Sequence, residues 1–435
     1  WYADDSAKAS NLQDIQKWLN KVCKIGPGFG YFPKPEKYIL GTKFTDTSNV
    51  LGFKARNNIR KIVTRNRYLD GPLGEEDYVE SYIKDKLNDW KRDIEAFIPI
   101  ASQVPHEAYT AITKSLKHRW TSTLCARQVD PTNCTAPDDI ITSPLLDALL
   151  QKQVSDTSRN LSNLRVKQGG FGLPNLQTAA LNQYDTSKKS TNHLISAIKG
   201  REDFDTQLHS ITRNKATKEH QVRTTESEKQ GYHEIVENIQ DPPKKILKRA
   251  SQTGIWLAQY PSTYNGNVLS PEEFRDSALI RFGESPANLQ PHCDGCGKPT
   301  SLNHLLTCKT GGLIHQAHDE LRDEIALLSR QTFTPSAVQI KPPIQNSTDS
   351  TQDTYTQDHG DIGVRGFWTK QMDSIMDIRI TYPEANSHRN TTVEKILERQ
   401  EKEKKKKYLQ PCLERRRHFT PFVTTTDGLM GKEAQ

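Results

Sequence analysis

The sequence predicts a multidomain α+β/α protein, with a helical middle, a small module rich in cysteine and histidine, and an α/β block at the C-terminal end. Three observations support this fold class. The chain has 435 residues, about three times the length of an ordinary domain. Apolar residues recur at helical spacing over residues 77–124, whereas apolar and polar residues alternate, as in half-buried strands, over residues 361–380.

The composition is polar and slightly basic. Hydrophobic residues make up 34% of the chain and the mean hydropathy is −0.76, so part of the length is expected to be linker or charged surface. We expect no membrane-spanning helix and no signal peptide, because no apolar run is long enough and no basic segment precedes one. The seven cysteines form no regular framework, which favours a reducing, intracellular compartment over a secreted disulfide scaffold.

The first three regions follow from local patterns. Residues 1–75 combine Gly and Pro turns with short apolar runs, which predicts strands and hairpins belonging to part of a sheet. Residues 76–212 are predicted to be mainly helical, because apolar residues recur every three or four positions. Residues 213–289 begin with an almost wholly polar stretch, which predicts a linker or an exposed helix.

Residues 290–318 contain a compact set of metal-ligand residue types. The spacing is Cys-x2-Cys-x7-His-x3-Cys within sixteen residues. Two cysteines on one turn can present two thiolates to one ion, and the later His and Cys complete a tetrahedral site. A structural Zn²⁺ is therefore expected, and the alternative is buried free cysteines beside an incidental histidine. The expected ligands are Cys293, Cys296, His304 and Cys308.

The C-terminal block, residues 319–435, combines acidic residues on predicted strands with a lysine-rich helix. A hairpin would place Asp361 and Asp377 close together, where two carboxylates can hold Mg²⁺. Carboxylates that simply face solvent are the alternative. On the helix, Lys404 falls on the same line as the apolar residues, and Lys407 lies about 80° from that line. Lys404 is thus the expected inward lysine, and Lys407 is the next candidate.

Most of the net charge is concentrated in one short segment. The whole chain has 60 Lys and Arg against 53 Asp and Glu, a net charge of +7. Residues 394–417 alone carry ten Lys and Arg against five Asp and Glu. Such a run is either a solvated helix face or a surface that binds nucleic-acid phosphates. The candidate phosphate-binding residues are Lys402, Lys405, Lys406, Arg415, Arg416 and Arg417.

The chain opens with the sequence Trp-Tyr-Ala-Asp-Asp. Adjacent aspartates are common turn residues, but they can also hold the divalent cations of phosphoryl transfer. With the Gly-Phe-Gly-Tyr-Phe-Pro-Lys-Pro-Glu-Lys-Tyr segment and the Gly-Gly-Phe-Gly-Leu-Pro turn, this order of motifs resembles a non-LTR retrotransposon reverse transcriptase, entered at its YADD motif. The resemblance covers roughly residues 1–200. It implies that Asp4 and Asp5 are catalytic metal ligands and that Lys37 contacts nucleic acid.

The same resemblance extends over the rest of the chain. It implies a partial polymerase palm in residues 1–75 and a helical thumb in residues 76–212. Residues 290–318 are similar to a CCHC zinc knuckle. Residues 319–435 resemble a restriction-like PD-(D/E)xK endonuclease, and His318, just after the knuckle, lies where such proteins carry an Arg-His pair.

The resemblance implies a C-terminal fragment of a retrotransposon polyprotein that acts in the nucleus. The intact protein would nick target DNA and use the exposed 3′ end to prime reverse transcription of the element RNA. The fragment alone is not expected to polymerise, because the third carboxylate and the nucleotide-binding motif of such enzymes precede YADD. Two alternatives stay open: a non-catalytic zinc-containing nucleic-acid-binding protein, and a translated pseudogene. The sequence does not indicate an oligomeric state.

Overall fold

A computed structural model describes residues 7–68, 71–239, 243–310, 313–348 and 355–435. Helices predominate and strands are short, which confirms the expected mixture of α and β structure. None of the helices in the described ranges combines the length and the apolar character needed to cross a membrane.

The helices are α1 (Leu12–Ile25), α2 (Ser48–Arg56), α3 (Glu76–Gln103), α4 (Pro105–Ala111), α5 (His118–Ala126), α6 (Thr135–Ile140), α7 (Leu146–Leu150), α8 (Asp156–Ser162), α9 (Leu176–Ile198), α10 (Thr206–Asn238), α11 (Pro243–Thr253), α12 (Pro271–Arg281), α13 (Leu302–Leu305), α14 (Leu313–Thr332) and α15 (Val393–Glu414). The strands are β1 (Ile39–Gly41), β2 (Lys61–Val63), β3 (Asn66–Tyr68), β4 (Gly71–Leu73), β5 (Val338–Ile340), β6 (Pro343–Thr348), β7 (Tyr355–His359), β8 (Ile362–Arg365), β9 (Asp373–Thr381) and β10 (His418–Thr425).

The chain divides into two compact units, each assembled from separate stretches of sequence. The first unit comprises Trp1–Glu95, Leu116–Asp138 and Asn175–Gln221. The second unit comprises Ala96–Ser115, Asp139–Pro174 and Val222–Gln435. The C-terminal block and the Cys/His module therefore both belong to the second unit.

The start of the first unit contains more helix than its sequence predicts. Strand β1 pairs with β2 in parallel, and β3 pairs with β4 antiparallel. Within the described part of residues 1–75, the expected sheet is present as these two short pairs, and α1 and α2 place their apolar residues at helical spacing instead. The core of this region consists of Leu19, Leu40, Val50, Phe53 and Ile59.

The helical pattern predicted for residues 77–124 is confirmed by α3, α4 and α5. Pro105 is the first residue of α4, a position where its missing N–H is not needed. In the first unit, Trp90 of α3 and Trp120 of α5 are buried, and their ring centroids lie 6.3 Å apart. The polar stretch after residue 212 belongs to helix α10, so the helical alternative is confirmed there.

An aromatic cluster forms the core of the helical part of the second unit. The ring centroid of Tyr109 lies 4.9 Å from that of Phe171 and 5.8 Å from that of Phe274. The Tyr109 hydroxyl donates to the Phe171 carbonyl at 2.6 Å. A Cβ atom at Gly170 would lie only 2.1 Å from the Leu164 carbonyl oxygen. The Gly-Gly-Phe-Gly-Leu-Pro turn is therefore a packed element of this core.

Four strands of the C-terminal block form one sheet in the order β10-β9-β8-β5. Strand β10 runs parallel to β9, whereas β8 is antiparallel to both β9 and β5. Parallel neighbours require a crossover connection, and α15 is that connection. Helix α14 covers the face with Ile362, Val364, Met376 and Ile378, and α15 covers the face with Ile375 and Phe419.

Helix α11 is attached to the C-terminal block by a buried cation. Arg249 is 5% exposed. Its Nη1 lies 2.6 Å from Glu384 Oε1, and its Nε donates to Asp427 Oδ2 at 2.7 Å. Burial alone would lower the pKa of Arg249, but the charges and hydrogen bonds of the two carboxylates raise it above its ordinary value. Residues 243–253, predicted as part of a linker, are thus packed against this block.

Candidate metal centre and nuclease site

The four expected zinc ligands come together in the second unit. Their ligand atoms all lie within 4.8 Å of one another. Cys293 Sγ lies 3.8 Å from Cys308 Sγ, and Cys296 Sγ lies 3.1 Å from His304 Nε2. A tetrahedral ion with Zn–S bonds of about 2.3 Å would hold two sulfurs about 3.8 Å apart. Within the ranges that the structure describes, no other group of three or more Cys, His, Asp or Glu side chains is gathered so closely.

A tight turn and a short helix position these ligands. The Gly297 N–H donates to the Cys293 carbonyl at 2.8 Å. Gly297 has a φ of +68°, in the left-handed region that residues with a side chain rarely adopt. Helix α13 carries His304 and begins after Ser301, whose side chain accepts from the His304 N–H. The Cys308 N–H then donates to the His304 carbonyl at 2.8 Å, so the last ligand follows the helix directly.

The local electrostatics favour a bound cation at the Cys/His cluster. The backbone N–H groups of Cys296 and Gly295 lower the pKa of the Cys293 thiol to about 6. The thiolate is the form that binds zinc. Four protein ligands leave no position for water or substrate, so a cation held here would stabilise the fold instead of performing chemistry.

Asp361 and Asp377 lie next to each other on the C-terminal sheet. Asp361 directly precedes β8, and Asp377 lies within β9. The Asp361 N–H donates to the Met376 carbonyl at 2.9 Å, and Asp361 Oδ2 accepts from the Ile378 N–H at 2.6 Å. Asp361 therefore bonds to the β9 backbone on both sides of Asp377. The predicted hairpin and the proximity of its two carboxylates are confirmed.

Helix α15 brings one lysine to Asp377. Because side chains alternate along a strand, Asp377 points to the same face as Ile375, the face that α15 covers. The Lys404 ammonium forms an ion pair with Asp377 Oδ2. Asp377 is 5% exposed, and its Oδ2 is enclosed. The predicted inward orientation of Lys404 is confirmed.

Lys407, the second candidate lysine, lies at a different carboxylate. Its Nζ is 3.2 Å from Asp358 Oδ1 and 2.7 Å from the Tyr408 hydroxyl. Lys407 is therefore directed toward β7, because Asp358 belongs to that strand. The structure does not bring Lys407 to the acidic pair.

The other basic residues of residues 394–417 form a partly neutralised surface, called the basic surface below. Their charges are balanced to different degrees by nearby carboxylates. Lys402 lies 2.7 Å from Glu398, Lys405 lies 2.7 Å from Glu433, and Lys406 is exposed. Arg415 and Arg416 are exposed, whereas the half-buried Arg417 donates to the Pro343 carbonyl at 2.7 Å.

The expected polymerase residues are at the start of the chain. Lys37 is exposed at the end of a short 3₁₀ turn in the first unit. Asp4 and Asp5 lie outside the described residues, and their role stays a prediction. The palm and thumb assignments stay predictions as well.

His318 of α14 contacts Asp361 of the acidic site, the pair Asp361 and Asp377. Neither strand alternation nor the period of the helix predicts this contact. His318 Nε2 lies 3.2 Å from Asp361 Oδ2. The hydrogen bond to Asp361 is the main reason why the pKa of His318 is raised. The one sequence signal for this residue is its place directly after the Cys/His module, where the resemblance puts a histidine.

The two aspartates have opposite tendencies to ionise. Burial raises the pKa of Asp377, and the charge of Lys404 offsets this only in part. Burial also acts to raise the pKa of Asp361, but hydrogen bonds from His318 and Ile378 outweigh it and hold that pKa below its ordinary value. A carboxylate that is buried and close to a second one is stabilised in its ionised form by a nearby cation.

Comparisons with known proteins do not identify a family. No protein-family model matches the chain, and no curated protein matches it. The function proposed below therefore depends on the side chains just described and on the order of motifs along the sequence.

Proposed function

We propose that the C-terminal block is a Mg²⁺-dependent DNA endonuclease. Asp361 and Asp377 would hold the metal ion, and Lys404 would contact the scissile phosphate. The observation that carries this proposal is the convergence of three charged side chains from β9, α15 and the residue before β8. Two of these side chains are largely enclosed. Removing their charges from water costs free energy, which an ion pair on the surface would not.

The donor set fits a magnesium ion. Mg²⁺ prefers oxygen ligands and usually keeps several waters, binding proteins through one or two carboxylates plus substrate phosphate. Asp361 and Asp377 supply two carboxylates, and the enclosed Asp377 Oδ2 is paired with the Lys404 ammonium. When bound, the metal ion would neutralise charge on the phosphate and lower the pKa of an attacking water.

The protein side chains have separate roles in this proposal. Lys404 is 21% exposed at its side chain, and its flexible stem lets the ammonium move from Asp377 to a phosphate oxygen, where charge develops in the transition state. His318 is a positioning residue, since it touches Asp361 and not the substrate. Its hydrogen bond, together with that of the Ile378 N–H, fixes one oxygen of Asp361 and leaves the other for a ligand.

The order of motifs supports a broader assignment. We propose that the chain is part of a non-LTR retrotransposon polyprotein that carries a partial reverse transcriptase palm, a helical thumb, a zinc knuckle and this nuclease. Its partners would be target DNA and the element RNA in the nucleus. In this assignment the Cys/His cluster binds a structural Zn²⁺ through Cys293, Cys296, His304 and Cys308.

A second candidate function is nucleic-acid binding without cleavage. The ion pair between Lys404 and Asp377 favours it, because the buried carboxylate is already neutralised when no metal ion is bound. In that case the zinc module and the basic surface would supply all the activity. Measured nicking distinguishes the two candidates.

The test of the nuclease is the conversion of supercoiled plasmid to the open circle by the whole 435-residue chain. Nicking should require Mg²⁺ or Mn²⁺. Replacing Lys404 with Ala should slow it about 100-fold or more, the usual effect of removing one group that stabilises transition-state charge. Lys402→Ala is the matched control, because Lys402 is on the same helix but is exposed and pairs with Glu398. As a candidate phosphate-binding residue it should weaken DNA binding slightly and spare the nicking rate of bound DNA.

Two outcomes would change the assignment. Rapid nicking by Lys404→Ala together with inactivity of Lys407→Ala would transfer the role to Lys407. The binding-only candidate would be favoured by a wild-type protein that nicks no duplex in either metal ion.

The basic surface makes a separate prediction about DNA affinity. Each neutralised phosphate contributes about 0.9 to the slope of log K against log salt. The double variant Arg415→Glu/Arg416→Glu should therefore weaken duplex binding and reduce that slope by about 2. Fluorescence anisotropy at several salt concentrations measures both quantities.

The control for this measurement has the same change in net charge. Lys215→Glu/Lys218→Glu alters two exposed lysines of α10, which are outside the basic surface. Equal slopes for the two double variants would mean that Arg415 and Arg416 are merely solvated.

A further inference from the structure

The turn between β8 and β9, residues 366–372, exposes two aromatic side chains. Phe367 is 37% exposed and Trp368 is 59% exposed. Their ring centroids lie 5.0 Å apart with an interplanar angle of 84°. Phe367 also packs on Phe333, with ring centroids 5.8 Å apart, so Trp368 is the more exposed ring of the pair.

The exposed aromatic pair is held in place by the strand on the far side of β9. Trp368 Nε1 donates to the Thr420 hydroxyl at 2.9 Å. The neighbouring Thr369 hydroxyl lies 2.9 Å from His418 Nε2. Both partners belong to β10, so the turn is tied across the sheet. A ring held in this way loses little freedom when a ligand stacks on it, which lowers the entropic cost of binding.

The surroundings of the turn are basic. Arg365 directly precedes it and Lys370 lies within it, and both are exposed. Arg417, which directly precedes β10, has its Nε 3.9 Å from Asp373 Oδ2 at the end of the turn. Asp373 is on the face of the sheet with Ile375, whereas Thr420, the partner of Trp368, is opposite Met376 on the other face. The exposed cations closest to the aromatic pair along the chain are therefore Arg365 and Lys370. An apolar protein partner would gain little from these cations, whereas a phosphate backbone is complementary to them.

We propose that Phe367 and Trp368 form a stacking platform for an unpaired base of single-stranded DNA, with the neighbouring cations on its phosphates. Aromatic side chains next to basic residues are the common means of binding single strands. The inference deepens the proposed function and rests on it for the choice of nucleic acid. Thr420, the partner of Trp368, is opposite Met376 on the face that α14 covers, whereas Asp377 is on the face that α15 covers, so the platform and the acidic pair lie on different faces of the sheet.

The test measures DNA binding by the whole 435-residue chain without added divalent metal ions, so that no cleavage occurs. The probes are a twelve-nucleotide oligothymidylate and an abasic strand of the same length and charge. Wild type should bind the oligothymidylate more tightly than the abasic strand. Trp368→Ala should weaken oligothymidylate binding about 5- to 150-fold, from the usual stacking energy per base, and should bind the abasic strand nearly as wild type does.

Two further variants separate stacking from other effects. Trp368→Phe keeps an aromatic face and should retain most of the affinity for the oligothymidylate. DNA should quench part of the tryptophan fluorescence of wild type, and this quenching should be lost in Trp368→Phe. Tyr264→Ala is the matched control, because Tyr264 is 96% exposed and lies outside the turn. It should bind both probes as wild type does.

Three results would overturn the proposal. The first is an equal affinity of wild type for the oligothymidylate and the abasic strand. The second is an oligothymidylate affinity that Trp368→Ala leaves unchanged. The third is a wild-type dimer in sedimentation experiments that Trp368→Ala converts to monomer without any change in DNA binding. The last result would make the turn a contact between copies of the chain. Since nicking is not measured, an inactive nuclease would leave the binding result intact, and a failed platform would leave the acidic site untouched.

Discussion

Asp377→Asn is expected to abolish nicking of duplex DNA while leaving duplex binding nearly unchanged. Asp377 is the more deeply enclosed of the two proposed metal ligands. A bound metal ion contributes several kcal/mol to stabilising the transition state, and about 4 kcal/mol corresponds to roughly a thousandfold in rate. Asn keeps the shape of the side chain but removes the charge that holds the ion. Plasmid nicking and fluorescence anisotropy on the same preparation measure the two effects.

A loss of folding has to be distinguished from a loss of chemistry in this variant. Removing one partner of a buried ion pair typically costs about 3–5 kcal/mol, because the other charge stays behind. The double variant Asp377→Asn/Lys404→Met removes both charges and should recover most of the thermal stability that the single variant loses. It should still be inactive. Nicking at the wild-type rate by a folded Asp377→Asn protein would exclude this carboxylate as a metal ligand.

The second large effect concerns the Cys/His cluster. The purified chain should contain about one zinc ion, and Cys308→Ser should lose it. Structural zinc sites contribute about 10–16 kcal/mol to folding in small peptides at neutral pH, so the turn and helix around the site should open without the ion. Metal analysis gives the zinc content. Limited proteolysis reports the opening as faster cleavage within residues 290–310.

A matched cysteine variant controls for the loss of a thiol. Cys23 is exposed in the first unit, and Cys23→Ser should keep its zinc and its resistance to proteolysis. Retention of zinc by the double variant Cys296→Ser/Cys308→Ser would contradict the assignment. So would the absence of zinc from wild type purified under reducing conditions.

The parts of the site that could be predicted from the sequence are those encoded by short-range spacing. The four expected zinc ligands lie on one turn, on one short helix and just after that helix, so their spacing alone describes a chelate. Lys404 follows from the period of a helix, and the proximity of Asp361 and Asp377 follows from alternation along two strands joined by a short turn. In each case the chain is regular between the residues concerned.

The parts that could not be predicted depend on contacts between distant segments. His318 reaches Asp361 across 43 positions of sequence, and nothing in the period of α14 selects that partner. Arg249 pairs with Asp427 across 178 positions, so its helix is indistinguishable from a polar linker in the sequence. Near the N-terminus, Gly and Pro suggested hairpins, but the apolar spacing of α1 and α2 determines the local structure.

The buried pairing of Arg249 also restricts how this block can be exchanged between proteins. A recombination breakpoint at residue 290 would transfer the metal cluster and the acidic site intact, yet it would leave Glu384 and Asp427 together without their cation. These carboxylates are only 12% and 18% exposed at their side chains, so their mutual repulsion would be poorly screened. An exchange that preserves this buried pairing therefore needs a junction that precedes Pro243, so that α11 and its arginine are transferred together with the two carboxylates.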